Sequence, residues 1–596
     1  MSFDDEDDFA GIGPEFQPER EDDGPIDMQE VFWQRLQKAA DQTLNDYGNG
    51  QRYIIHFGDD LMWVPRVGWF TWTGTVWKAD PDEIAVKAKA HRIGPLIERE
   101  TRFITVPPKK QQIVDQKDRI DDEIAEISAR KPRTPDDEKK LTELRATRDE
   151  IGRLLSAVQD RIGQRLRHAK NAGNSGPLKN MATEASIGLA VPLDDLDVNP
   201  LMVNTLSGVL HFRVDADPDA GLSKTAMVEL IPHERGLRLT KQMPVQYNPA
   251  ALCPRFEKFL FEVQPDPEMR AFLQRWFGLS MTALTVQRLA FFYGMGANGK
   301  SVLVDLMARI LGDYAAQAKI ESLTGTNRRG GGDATPDLVP MIGARFLRTS
   351  EPDEGMRWQE GLIKELTGGE PMLVRALHSD FVTFQPKFKL TISGNHKPDI
   401  RGTDDGIWRR LMLVEFNQQI AKDKQIPKDE LDALLFEERD GIFAWMVRGL
   451  CDFLEGGLQE PQAVLLATQS FREESDPYGT YLNEACVISG DPVDRMKARD
   501  LVNGFHLWLA ERAEGAFQDR TVANALKERS RRWRSRSGTM FSAAKSDGQS
   551  VYDGIRFNDL FRRKFEAADK DPKTGRPRAS STDLPPEVAP ESREGW

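Results

Sequence analysis

The chain is 596 residues long, more than one hydrophobic core can hold, so several domains are expected. Its three cysteines, Cys253, Cys451 and Cys486, are scattered with no C-x-x-C pair, which argues against a disulfide framework or structural zinc and fits a reducing cytoplasm. No apolar run approaches the roughly 20 residues of a membrane span, and the acidic N-terminus is no secretory signal. The formal net charge is −13, but ten acids against one arginine in residues 1–24 account for −9 of it, so basic clusters elsewhere can still meet a polyanion.

Residues 1–26 are poor in large apolar side chains and read as a disordered tail suited to solubility or to a partner. Residues 27–250 read as an α+β domain. In it, YIIHFGDDLMWVPRVGWFTWTGTVWKAD sets Trp63, Trp69, Trp72 and Trp77 among glycine turns, which predicts hairpins whose tryptophans pack a small core rather than stack on bases. Residues 107–168 change character. Ile113, Ile120 and Ile127 step by sevens with Ile124 between. After the breaker KPRTP, Leu141, Leu144, Ile151, Leu155, Val158 and Ile162 continue the stripe. That pattern predicts an inserted antiparallel helical hairpin, an arm for structure or assembly. NAGNSGPLKN then reads as a loop, and NPLMVNTLSGVLHFR as a hairpin turning at Ser207 and Gly208. Beyond Cys253 the spacing of Phe256, Phe259, Leu260, Phe272, Leu273 and Trp276 predicts helix.

Residues 251–465 carry the chemistry. FFYGMGANGKSVLVDLMARILG reads as a buried strand, a glycine loop and an amphipathic helix, with Gly294, Gly299, Lys300 and Ser301 on the G-x-x-x-x-G-K-[ST] pattern. Glycines let the backbone curl so that several N–H groups meet one phosphate chain. The loop from Gly294 through Gly296, Ala297, Asn298 and Gly299 to Lys300, Ser301 and Val302 is therefore the expected cradle for a nucleoside triphosphate. Lys300 reaches the outer phosphates, and the Ser301 hydroxyl ligates Mg²⁺ at the positive helix end.

Downstream, ARFLRTSEPDEG places Glu351 after a strand, where an acid can polarise the attacking water or hold Mg²⁺. A helix closed by Gly368 and Gly369 follows. PMLVRALHSDFVTFQPKFKLTISGN then reads as strand, turn at residues 377–380, strand, and a third strand ending at Asn395, a neutral polar group able to orient the water. Arg375, His378, Lys387 and Lys389 lie on or beside that turn. GIWRRLMLVEF sets Arg409 and Arg410 before an apolar strand, placed either for a surface ion pair or for neutralising a transferred phosphoryl group across a subunit boundary.

Residues 466–566 read as an α+β unit. KERSRRWRSRS offers Arg529, Arg531, Arg532, Arg534 and Arg536 to phosphates, and the order helix, basic helix, hairpin suits a winged helix. Residues 567–596, rich in proline, serine and charge, read as a disordered tail.

The ordered series GMGANGKS, LRTSEPDEG, KELTGGEPMLVRALHSDF, KLTISGNHKP and GIWRRLMLVEF resembles the superfamily 3 helicases, of the phage and plasmid primase-helicase type related to poxvirus primase-helicases. The resemblance implies an α/β, P-loop, AAA+-like core, preceded by an α+β domain with the inserted hairpin and followed by a winged helix. It implies an ATP-dependent replicative DNA helicase, cytoplasmic in a bacterial host and encoded by phage or plasmid. The enzyme would be a homo-oligomeric ring of six, moving 3′→5′ on single-stranded and forked DNA, beside a separate primase or polymerase. Lys300 and Ser301 become the nucleotide and Mg²⁺ contacts, Glu351 the catalytic acid, Asn395 the sensor, and Arg410 or Arg409 the finger reaching the next subunit's ATP. Residues 377–380 become the tip of a DNA-gripping hairpin. Many relatives carry two adjacent acids where Ser350 precedes Glu351 here, so a part for Ser350, Asp353 or Glu354 at Mg²⁺ stays open. No strand before Asn199 carries a D-x-D triplet, so no primase catalytic domain is expected. The alternative reading is an origin-melting or DNA-binding assembly ATPase without processive unwinding.

Overall fold

The computed structural model describes residues 28–215, 224–324, 335–349, 357–375, 381–400, 405–512, 517–535, 537–546, 548–571 and 576–577. The acidic tail, residues 350–356 with Glu351, residues 376–380 with His378 and the turn expected at 377–380, Arg536 and most of the last tail lie outside them. The chain divides into two compact units, Met1–Val198 with Pro232–Lys241, and Asn199–Ile231 with Gln242–Trp596. No helix of the described residues is long and apolar enough to cross a membrane.

In the first unit, β1 (Leu61–Val64), β2 (Gly68–Trp72) and β3 (Trp77–Ala79) form an antiparallel meander pairing Trp63 with Trp69 and Trp72 with Trp77. Trp69 and Trp77 are buried, and the Trp63 and Trp69 rings meet edge-on at 5.2 Å, so these side chains build core. The helices Lys117–Ala129 and Pro135–Ala172 form the expected hairpin, closed over Ile120, Ile124, Ile127, Leu141 and Ile151. Thr134 and Asp137 start the second helix with a reciprocal capping box.

One expectation fails here. NAGNSGPLKN is no loop: the hairpin's second helix runs on to Ala172, and another, Ser175–Gly188, starts from the extended Asn174. Pro177 sits in the first turn, where its missing N–H costs nothing, and Met181 and Ala185 are buried. Where the long helix rejoins the unit, Glu100 accepts from both Arg52 and Arg165, and Arg52 and Glu100 are fully buried.

The second unit begins with an antiparallel sheet of β4 (Met202–Thr205), β5 (Gly208–Asp215) and β6 (Thr225–Ile231). The predicted helical stretch is two helices, Pro254–Val263 and Pro267–Leu279, parted at residues 264–266, with all six candidate apolar residues buried. Then come β7 (Leu289–Tyr293), β8 (Ala315–Ala318), β9 (Phe346–Thr349), the short pair β10 (Met372–Val374) and β11 (Val382–Phe384), β12 (Lys389–Gly394) and β13 (Leu411–Glu415). Five of these make one parallel sheet in the order β13-β7-β12-β9-β8. Apolar clusters cover both faces, which is why the LAFFY strand is buried almost without a break.

Farther on, the helices Pro477–Ala485, Ala498–Glu511 and Asp519–Arg532 share a core of their own with β14 (Cys486–Ile488), β15 (Arg495–Lys497), β17 (Gln549–Asp553) and β18 (Ile555–Phe557), and β16 (Ser542–Ser546) lies outside that core. β16 and β17 are an antiparallel hairpin, with β15 on the other side of β17.

Candidate nucleotide and nucleic-acid site

β7 runs straight into the glycine loop, and the helix Lys300–Leu311 leaves it. Gly294 and Gly299 have φ of 157° and 78°. A Cβ on Gly294 would lie 2.4 Å from the Phe416 carbonyl oxygen, and one on Gly299 would lie 2.6 Å from Val263 Cγ1. Both positions therefore require glycine. Ala297 takes the same left-handed bend, with φ 61°. The buried Asn298 amide donates to Met295 O at 2.7 Å and Phe416 O at 3.0 Å, tying the loop to the chain leaving β13. Ile420 N adds a bond to Ala297 O at 2.8 Å.

Lys300 is 4% exposed, and among the described residues its ammonium donates to Gly294 O, to Asn298 Oδ1 at 3.0 Å and to Asn395 Oδ1 at 3.2 Å. Register explains the last contact. Gly394 pairs with Tyr293, so β12 delivers Asn395 beside the loop that β7 delivers. On β12's other side Ile392 pairs with Thr349, the last residue of β9, two positions before Glu351. Ser301 is exposed in the first helical turn, where backbone N–H groups have no partner within the helix. Gly296 has open space around it and Met295 is exposed, so the crest of the loop faces solvent. These features fit a triphosphate: a solvent-facing glycine loop and a free helix N-terminus beside a buried lysine.

The arginine pair sits elsewhere. Leu411 pairs with Leu289, so Arg409 and Arg410 lie at the foot of β7, the end opposite the loop. Four residue steps along that strand, about 13 Å, separate the two ends. Neither arginine can serve its own subunit's loop. Arg410 is buried and donates to Gly406 O at 2.7 Å, so its guanidinium is folded into its own subunit. Arg409 is exposed, and among the described residues its guanidinium has no hydrogen bond or ion pair.

The proposed DNA contacts divide too. Arg375 lies over the Phe381 ring at 4.7 Å, at the open end of the β10–β11 pair, and Lys387 is half-buried nearby. Lys389 does not belong with them. It is fully buried, and its ammonium donates to the carbonyls of Thr282, Leu284 and Lys387. Burial, with the neighbouring Arg345 cation, pushes its pKa well below the usual lysine value. Arg529 is likewise buried, paired with Asp476 and lying 4.7 Å from the Tyr478 ring. Helical periodicity turns it inward while Arg531, Arg532 and Arg534 stay exposed. Sequence reasoning missed Arg345, buried with its guanidinium on the carbonyls of Met202 and Met281, and Arg288, which donates to the Arg409 carbonyl. An arginine immediately before the buried LAFFY run was the available signal for Arg288.

Residues 50–265 match the family described as D5 N terminal like. The chain is 26% identical over 273 residues, 43% of its length, to "Putative helicase L207/L206" of Acanthamoeba polyphaga mimivirus, of which that stretch covers 28%. It is 24% identical over 432 residues (61% of this chain, 44% of the other) to the like-named 022R of Frog virus 3. It is 26% identical over 225 residues (37% and 22%) to C962R of African swine fever virus, named there as a primase of the same standing. The chain thus spans less than half the length of these relatives. Among solved structures, the apo NrS-1 C terminal region aligns with 57% of this chain and 95% of that one, at 11% identity and a TM-score of 0.33.

Proposed function

We propose that this chain, related to the viral helicases and primase named above, is an ATP-driven DNA helicase working as a ring of subunits, taken as six. The observation that carries the reading is the split across the parallel sheet. Lys300 meets Asn395 at one end, and the exposed Arg409 stands at the other. A molecule built this way completes each catalytic site with a neighbour's arginine.

In that reading the loop N–H groups and Lys300 bind the β- and γ-phosphates through charge-assisted hydrogen bonds. Ser301 and Glu351 would hold Mg²⁺, which would supply charge neutralisation on the phosphates. Glu351 and Asn395 orient the attacking water, and the partner's finger stabilises charge on the transferred group. Between the two fingers first considered, burial favours Arg409 over Arg410. The segment joining β10 to β11, with Arg375 and His378, and Lys387 after β11 grip one DNA strand and carry it 3′→5′. Arg531, Arg532 and Arg534 add phosphate contacts in the C-terminal module. A separate primase or polymerase uses the product strand.

The test is subunit mixing. Arg409→Ala and Lys300→Ala should each lower ATP turnover by at least about 10³-fold, the usual worth of such a finger. Mixed rings should regain activity, because each subunit lends what the other lacks. Parental turnover by assembled Arg409→Ala protein would end the proposal of a finger in trans.

A further inference from the structure

Arg288 stands immediately before β7 and is half-exposed. Its Nη1 donates to the carbonyl of Arg409, and its Nε to Glu460 Oε1 at 2.7 Å. Glu460 is held in turn: the buried Arg275, on the helix Pro267–Leu279, donates to Leu458 O at 2.8 Å and Gln459 O at 3.2 Å, the two residues before it. On the other side, Arg409 N donates to Asp405 O at 3.0 Å and Leu289 N to Arg410 O at 2.8 Å. The backbone of Arg409 is thus clamped at both its N–H and its carbonyl, while its side chain alone is left to solvent.

We propose that Arg288, braced by Glu460, is a positioning residue for the arginine that acts on the neighbouring subunit's nucleotide. This rests on the finger reading above and adds to it the device that aims the finger. An exposed arginine has many rotamers, and ordering it at a neighbour's site costs side-chain entropy. A fixed backbone removes part of that cost and limits where the guanidinium can reach. The clamp also has a direction. The strand whose foot holds the finger, β7, carries its own subunit's phosphate loop at its other end. Movement of β7 when one site changes occupancy would therefore shift the finger serving the next, a link from site to site around the ring. Arg288 suits the task because its planar fork bonds a carbonyl and a carboxylate at once, which a lysine ammonium does less rigidly.

The experiment uses full-length Arg288→Ala, Arg288→Lys and Glu460→Gln, each first checked for assembly. A misaimed finger weakens the transition state and leaves nucleotide binding intact, so KM for ATP should stay within about twofold of the parent. For Arg288→Ala kcat should fall by about 10- to 100-fold, the scale of a misplacement near 1 Å. Arg288→Lys should lie between it and the parent. Glu460→Gln, which keeps the shape of the brace, should fall in the same direction by less. Mixing Arg288→Ala with Lys300→Ala subunits should restore turnover, because the second supplies a well-aimed finger to the first's intact loop. Parental kcat overturns the proposal. So does a loss that Lys300→Ala subunits fail to rescue, which would place the damage in the subunit's own loop. The control is Arg409→Ala with Lys300→Ala: rescue there without rescue for Arg288→Ala sinks the brace alone, and failure in both sinks the finger and the brace together.

Discussion

Replacing Lys389 by methionine decides whether this residue grips DNA or holds the foot of the sheet together. The side chain is fully buried, and its ammonium serves three carbonyls, of Thr282, Leu284 at 3.2 Å and Lys387 at 3.1 Å. Methionine keeps most of the volume and removes every donor. Each carbonyl left buried without a partner costs about 1–3 kcal/mol, and those of Leu284 and Lys387 are near enough to solvent to recover part of it. Relief from burying a cation beside Arg345 offsets some of the loss. The net expectation is a destabilisation of about 2–4 kcal/mol at neutral pH.

The sign of the pH dependence follows from the lowered pKa. Between the folded value and the ordinary lysine value of 10.5 the unfolded chain binds the extra proton, so Lys389 makes stability rise with pH across that window. The gap between parent and variant should therefore widen toward alkaline pH, by at most about 1.4 kcal/mol per unit. Hydrogen exchange at the Lys389–Gly394 and Leu289–Tyr293 amides, measured at two pH values, reads this directly. Single-strand affinity should keep its parental salt slope. A variant of full stability whose slope is shallower by about 0.7 would show Lys389 to be a phosphate contact and refute the reasoning.

In the C-terminal module, Arg529→Ala should loosen the Asp476 and Tyr478 contacts and lower the melting temperature while leaving the salt slope of duplex binding unchanged. Replacing Arg531, Arg532 and Arg534 together should do the reverse, with about 0.9 lost from the slope per phosphate contact; the opposite pattern would reassign the helix face. His56 is buried near Arg35, Arg52 and Arg92, and burial first, then those cations, hold its pKa down to about 4. A depressed histidine costs stability as pH falls from about 6.5 toward 4, by at most roughly 3 kcal/mol, so exchange in the helix Asp46–Phe57 should quicken over that range and much less so in His56→Gln. Equal acid sensitivity in the variant would remove His56 as the cause.

What the sequence made legible was local. The glycine loop, the strand before it and the heptad-spaced isoleucines each declare themselves within twenty residues, and each is found as read. The strand order and the meeting of Lys300 with Asn395 depend on pairings across about a hundred residues, which only the ordered motifs hinted at. Two misreadings share one cause. Lys389 and Arg529 are charged, and charge argues for solvent unless buried carbonyls or an acid from elsewhere in the chain accept it. Residues 171–180 failed for a different reason. Asparagine, glycine and proline mark a loop by composition, yet the same types start a helix when apolar residues such as Met181 and Ala185 follow at helical spacing.

The central claim is that this chain converts ATP turnover into separation of DNA strands. Strand displacement on a forked duplex with a 3′ single-stranded arm, with ATP and Mg²⁺ at moderate salt, tests it most directly. The parental protein should release the labelled strand in proportion to ATP consumed, Lys300→Ala should release none, and a fork offering only a 5′ arm should stay intact. ATP turnover stimulated by DNA with no strand released from either fork, by assembled protein, would contradict the account and leave an ATPase that binds or melts DNA without unwinding it.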